Sequence, residues 1–108
     1  MNMHYGEMNK RITVLIQQKI PDQYGGHIVQ WEKFANIWAK VDFISEDEED
    51  TRYKQVIKSL YAFTIRNNRD FKMPLKIHYL NKNFIAKKLR FYDNQKKYIS
   101  IISEMERN

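Results

Sequence analysis

The chain has 108 residues, a formal net charge of +6 and no cysteine. A chain of this length fits one domain and can bury a hydrophobic core without covalent cross-links. The lack of cysteine excludes disulfides, thiolate metal sites and a cysteine nucleophile. No apolar run approaches the roughly 20 residues of a membrane span, and residues 1–8 lack the pattern of a signal peptide. We therefore expect a protein that acts inside a cell, or in a particle assembled there.

The charge is distributed unevenly along the chain. Residues 1–51 hold 5 Lys/Arg against 9 Asp/Glu, whereas residues 52–97 hold 13 against 2. Such asymmetry favours contact with a polyanion or a charged assembly interface. The plainer alternative is that Lys and Arg solvate the outward faces of strands, because basic charge alone is a weak nucleic-acid signal.

The first element predicted is a strand. Residues 1–9 show no apolar periodicity and are expected to be a flexible lead-in to a single domain over residues 10–106. Residues 11–18 alternate, and one face carries Ile12, Val14 and Ile16. Period 2 with β-branched residues is typical of a strand.

A turn is predicted after this strand. Pro21 has no N–H to donate and therefore interrupts a strand ladder. Asp22 follows it, and Gly25 and Gly26 permit the positive φ that a hairpin connection often requires.

Two further strands are predicted over about residues 27–33 and 36–44, joined by a short kink. With the first strand they form a three-stranded antiparallel meander. An aliphatic face of the third strand is expected to face the core and carries Ile37, Ala39, Val41 and Phe43. Trp38 then lies on the outer face, where its cover would be the N-terminal segment, a helix, a neighbouring subunit or the barrel itself.

A strongly acidic segment follows the third strand. Its residues are Ser45, Glu46, Asp47, Glu48, Glu49 and Asp50. Ser45 and Glu48 have the spacing of a capping box, and acids in a first turn suit the helix dipole, so we expect a short helix or mobile loop at about 45–55. A run of acids is most often a solvated face. We do not expect it to bind a metal, because adjacent carboxylates on a helix do not converge.

The remaining chain is predicted to be all strands and turns. The strands are expected at residues 57–66, 75–79, 84–91 and 98–102. Short strands separated by turn signals at roughly 8–12 residue spacing are typical of a small barrel or sandwich. The predicted fold class is therefore mainly β: a small antiparallel β-barrel of about six to seven strands with one inserted loop or short helix.

The sequence carries no recognisable catalytic pattern. His4, His27 and His78 share no ligand-like spacing, and there is no Gly-rich phosphate loop and no nucleophile elbow. We expect no enzymatic activity, no cofactor and no bound metal.

The order of these signals resembles that of a known family. The matching residues are Arg11-Ile12-Thr13 with Gln17, Asp22-x-x-Gly25-Gly26, Trp31, Trp38-Ala39-Lys40-Val41, Thr64-Ile65-Arg66, Ile77 with Tyr79, Phe84-Ile85, and Ile101. In this order and spacing, over about residues 8–106, the chain resembles the head-tail joining proteins of long-tailed bacteriophages and prophages, also called head-completion, stopper or head-tail adaptor proteins. It departs from them in its Lys/Asn-rich second half and in its acidic run.

The resemblance implies a structural virion protein at the head-tail connector, assembled in the cytoplasm of a bacterial host. Such proteins form a ring, commonly of twelve subunits, that closes the DNA-filled head and provides the tail docking surface. The implied partners are a portal or adaptor ring above, a tail-completion or tail protein below, further copies of the chain, and packaged DNA bound without sequence specificity. No membrane is involved.

The resemblance also suggests roles for particular residues. In relatives an inserted loop gates the channel, and its position corresponds to about residues 43–55. The alternative is that Ser45–Asp50 form the acidic half of a subunit contact with Lys87, Lys88 and Arg90 of the next copy. We favour the contact, because repulsion of DNA alone cannot plug a pore. A structural role is implied for the motif residues Arg11, Asp22, Gly25, Gly26, Trp31, Trp38 and Ala39.

The competing hypothesis is a nucleic-acid-binding module of OB or SH3-like barrel type. Bases could stack on aromatic residues interleaved with Lys and Arg, namely Tyr61, Phe63, Tyr79, Phe84, Phe91 and Tyr92. Exposure discriminates the two hypotheses, because rings buried in the barrel leave no stacking platform.

Overall fold

A computed structural model describes residues 7–50, 52, 54–92 and 97–106. Its six strands are β1 (Lys10–Pro21), β2 (His27–Asp50), β3 (Gln55–Arg66), β4 (Leu75–Tyr79), β5 (Lys82–Tyr92) and β6 (Tyr98–Met105). Within the described ranges there is no α-helix, and hence no helix long and apolar enough to cross a membrane. Residues 1–6 of the predicted lead-in lie outside the described part, whereas Met8 is packed at 6% exposure.

The strands close into a barrel in the order β1-β2-β3-β6-β5-β4, and every neighbouring pair is antiparallel. Closure joins β4 back to β1, so the central part of the sheet has no open edge. The predicted fold class, a small antiparallel β-barrel, is confirmed.

The barrel interior is filled by residues that alternate along the strands. Side chains with essentially no exposure come from five strands and include Ile12, Val14, Ala39, Phe63, Ile65, Leu75, Ile77, Ile99 and Ile101. The predicted inward face of β1 is confirmed, because Ile12 and Val14 are buried and Ile16 packs against the same cluster. Removing these apolar side chains from water is the main term that stabilises the barrel.

The prediction of two strands over 27–44 was wrong, and with it the three-stranded meander. β2 is one strand of 24 residues. Its pairing with β1 passes from Val14–Ala35 to Leu15–Lys33, so Phe34 is an extra residue and forms a β-bulge. A bulge reverses the alternation of faces without ending the ladder. The break in the apolar pattern was therefore real, but it marked a bulge and not a kink between strands.

The prediction of a helix or mobile loop at 45–55 was also wrong over the described residues. Residues 45–50 continue β2 and pair with residues 55–60 of β3. A second bulge, at Ile44, lies just before them. Cross-strand partners satisfy the backbone groups that a helix would have bonded internally, and Lys58 lies opposite Asp47 in this ladder. The long-range pairing therefore overrides the local capping signal.

The turn between β1 and β2 is held by Asp22. The backbone N–H groups of Tyr24 and Gly26 both donate to Oδ1 of Asp22, at 2.8 Å each. Gly25 has φ of 84°, a left-handed conformation that favours glycine. A Cβ at Gly26 would lie 2.9 Å from Oδ2 of Asp22, so a side chain there would displace the carboxylate. The predicted turn is confirmed, and β1 extends to Pro21 before it.

We expect Asp22→Ala to lower the free energy of unfolding by about 1–2 kcal/mol, because two hydrogen bonds to a charged acceptor are lost. Asp22→Asn keeps the Oδ1 acceptor and is expected to lose less than half as much. Urea denaturation followed by tryptophan fluorescence measures both. Equal losses for the two variants would show that the charge of Asp22, and not its acceptor geometry, stabilises the turn.

Candidate assembly surfaces

Two hairpin arms extend past the closed part of the barrel. β2 pairs with β1 over residues 27–39 and with β3 over residues 40–50. In contrast, β4 pairs with β1 only at residues 13–16, and β6 pairs with β3 only at residues 60–66. The chain is therefore two-stranded in the β1–β2 arm (residues 17–21 with 27–31) and in the β2–β3 arm (residues 46–50 with 55–59).

The β2–β3 arm carries the acidic run. The side chains of Glu46, Asp47, Glu48 and Asp50 are exposed, and that of Glu49 lies outside the described part. Two of these carboxylates accept hydrogen bonds across the arm: Glu46 from Ser59 Oγ at 3.2 Å, and Glu48 from Gln55 Nε2 at 2.8 Å. The run is thus a paired ribbon with carboxylates on both faces. Among the described residues, no group of three or more His, Asp or Glu side chains could hold a metal ion.

The basic residues predicted as its counterpart lie on β5. Lys87 is the extra residue of a third bulge, because Ala86 pairs with Ser103 and Lys88 with Ile102. Its ammonium is 3.4 Å from the Glu104 carboxylate on β6, so part of its charge is already balanced within the chain. Lys88 and Arg90 are exposed. Their contact with an acidic arm of another copy stays a prediction.

The outer surface around Trp38 forms a second basic region. Trp38 is on the outer face, as predicted, and is 52% exposed. The Arg11 guanidinium lies 5.0 Å from the centre of its ring and is the side chain that covers it. Arg11 and Trp38 are partners in the β1–β2 ladder, so the strand register itself sets this pairing.

Two adjoining cavities open beside Trp38. One, of ≈ 160 Å³, is lined by Met8, Arg11, Asn36, Ile37, Trp38, Arg66 and Asn68. The other, of ≈ 220 Å³, is lined by Arg66, Asn67, Asn68, Lys97 and Tyr98. They share Arg66 and Asn68, and we call them together the basic groove. Sequence reasoning missed it, because the cations among its described residues come from β1, the end of β3 and the residue before β6.

The other motif residues have structural positions. Asp22, Gly25 and Gly26 form the first turn. Ala39 is fully buried in the core, and Trp31 is half-buried with the Lys76 ammonium 5.5 Å from the centre of its ring.

The aromatic residues that suggested base stacking are mostly internal. Phe63 and Phe84 are buried, and Tyr61 and Tyr79 pack against the core. Ring centroids are 4.9 Å apart for Phe63 and Phe84, with the rings edge to face. Phe91 is exposed, and the side chain of Tyr92 lies outside the described part. Apart from Phe91, the described rings therefore form a core network and not a stacking platform, which removes the observation that supported a nucleic-acid-binding module.

Comparison with known proteins decides the family. The phage head completion protein family matches residues 3–106, nearly the whole chain. The chain belongs to the phage head completion protein family. It is therefore a structural protein of the phage head, and the resemblance noted in its sequence is confirmed.

Solved structures share the fold of this head completion protein. A chain from the virion of a native gene transfer agent particle is 17% identical, with a TM-score of 0.71, and the match covers 89% of this chain and 92% of that one. The protein SF1141 from Shigella flexneri 2a is 18% identical, with a TM-score of 0.70, and the match covers 95% and 96%. At these identities the likeness concerns the fold alone. No curated protein matches the chain.

Proposed function

We propose that this head completion protein forms a ring at the head-tail connector. The ring closes the DNA-filled head below the portal or adaptor and offers a docking surface to the tail, without catalysing a reaction. Membership of the head completion family supports the role in the head. The projection of two unlike arms from one closed barrel carries the ring proposal, because each subunit of a ring presents a different surface to each neighbour.

The proposed partners follow from this position. The ring contacts the portal or adaptor on one side and a tail-completion or tail protein on the other. Its copies, commonly twelve in relatives, contact one another around a channel through which DNA passes. DNA meets the ring without sequence-specific binding, since the described rings that could stack on bases lie mainly in the core.

We assign the acidic β2–β3 arm to the contact between subunits. Its backbone is fixed by a ladder with β3, so its carboxylates are presented by a defined ribbon and not by a loose segment. Acidic side chains facing the channel would repel DNA phosphates, which fits a channel that does not bind the DNA passing through it. Repulsion alone, however, does not close a pore. In this proposal the arm therefore binds a basic surface of the next copy. Lys88 and Arg90 on β5 are the acceptors that the sequence predicts.

The test is negative-stain imaging of particles from cells that lack the gene. We expect separate tails beside tailless heads, many of them emptied of DNA, and restoration of joined particles when the gene is supplied in trans. Joined, DNA-filled particles in the absence of the gene would refute the proposed role.

A further inference from the structure

We infer that the basic groove beside Trp38 receives the acidic β2–β3 arm of a second copy of the chain. This rests on the proposed function, in which copies form a ring, and it deepens that function by naming the surface that accepts the arm. The acceptor in this proposal is the groove of Arg11, Arg66 and Lys97, and not the exposed β5 residues.

The groove has the chemistry of a carboxylate site. The Arg11 guanidinium carbon lies over the Trp38 ring, 5.0 Å from its centre. A guanidinium presents a planar fork of N–H donors, which can meet a carboxylate with two parallel hydrogen bonds. Asn68 adds amide donors, and none of the described residues that line the two cavities is acidic.

The arm has the complementary chemistry. Carboxylates at neutral pH only accept hydrogen bonds, whereas arginine and lysine only donate. Asp47, Glu48 and Asp50 are exposed along a two-stranded ribbon. The two cavities, of ≈ 160 and ≈ 220 Å³, are large enough for the end of an acidic side chain from this ribbon.

The arm cannot reach the groove of its own chain. Trp38 and Asp50 lie on the same strand, and a strand advances about 3.3 Å per residue, which separates them by up to about 40 Å. The contact therefore joins different copies through two different surfaces. Such a heterologous contact builds rings when its rotation closes.

The β5 residues are a weaker acceptor. Lys87 is already 3.4 Å from Glu104, so a second carboxylate there would meet a neighbouring negative charge. Lys88 and Arg90 stand on an exposed strand, where ion pairs are weakened by water and salt. The groove cations Arg11, Arg66 and Lys97 are exposed as well, but they line two adjoining cavities together with Asn68 and without an acidic side chain among the described lining residues.

Engineered cysteines test this contact, since the chain contains none of its own. Asp50→Cys with Asn68→Cys places one thiol on the arm and one in the groove, and Asp50→Cys with Arg90→Cys is the matched pair for β5. A disulfide needs Cα atoms within roughly 4.4–6.8 Å. In oxidised purified particles we expect the first pair to give a ladder of covalent oligomers on a non-reducing gel. A ladder from the second pair alone, or from neither pair, would overturn the groove as acceptor.

A charge swap gives an independent readout. We expect Arg11→Glu with Lys97→Glu to lower incorporation into particles about tenfold or more, and Glu48→Arg with Asp50→Arg to restore it in the same chain. Failure of this rescue contradicts the pairing.

Normal incorporation with loss of packaged DNA would instead show that the groove holds DNA phosphates, which overturns the inference. Joined particles without the gene product would refute the proposed function itself. This outcome differs from failure of the rescue and from loss of packaged DNA.

Discussion

Phe63→Ala is expected to lower the free energy of unfolding by about 3–5 kcal/mol, the range for removing a large aromatic side chain from a packed core. Phe63 has no exposed surface and lies at the centre of the aromatic network. Its ring is 4.9 Å from that of Phe84 and 6.0 Å from that of Tyr79, both in edge-to-face contact. Truncation would remove apolar burial and two ring contacts, and it would leave a cavity where three strands meet.

Phe91→Ala is the matched control for this variant. Phe91 is on β5 and is 48% exposed, so the same chemical change is expected to cost less than about 1 kcal/mol. Guanidinium denaturation followed by circular dichroism measures both variants. A small loss at Phe63, equal to that at Phe91, would contradict the placement of the ring inside the barrel.

Reversing the charge of the β2–β3 arm is expected to abolish assembly without unfolding the chain. Glu48→Lys with Asp50→Lys replaces two exposed carboxylates by cations at the tip of the arm. Cations there would repel any basic acceptor on the next copy, and like charges placed together across an interface cost several kcal/mol. Because both residues pair with a part of β3 that precedes its ladder with β6, the barrel core is untouched. We expect incorporation into particles to fall about tenfold or more, measured by immunoblotting of purified particles.

Glu32→Lys with Asp70→Lys makes the same change in net charge away from the arm. Glu32 is exposed on β2, and Asp70 forms an exposed ion pair with Lys72 at 3.3 Å, which contributes little to stability. We expect this variant to assemble normally. Equal loss of incorporation in both variants would mean that total charge, and not the arm, controls assembly. Unchanged incorporation of the arm variant would refute the proposed contact between the β2–β3 arm and the next subunit.

Family membership and the arms bear on different parts of the function. The family match makes the chain a head protein of a phage. It does not by itself say which surface meets which neighbour. The arms, the groove and the β5 residues supply candidates for those contacts, and the charge on each makes the candidates separable by experiment.

Period-2 patterns and turn chemistry allowed most strands to be predicted from the sequence. The predicted strand over 75–79 coincides with β4, and the predicted strands over 57–66, 84–91 and 98–102 lie within β3, β5 and β6. Where a bulge reverses the alternation, at Phe34, the same reasoning divided one strand into two. The residues alone do not distinguish a bulge from a strand end, because the partner strand decides whether the ladder continues.

The sequence by itself determined the fold class, the first turn, the inward face of β1 and the outward position of Trp38, since these follow from alternation, proline and glycine over short distances. Only the tertiary structure decided that residues 45–50 are strand, because pairing with β3 outweighs a local capping signal. The existence of the basic groove was also decided by the tertiary structure. Arg11, Arg66 and Lys97 are far apart in the chain, and only the pairing of β1 with β2, β2 with β3 and β3 with β6 brings them to one surface.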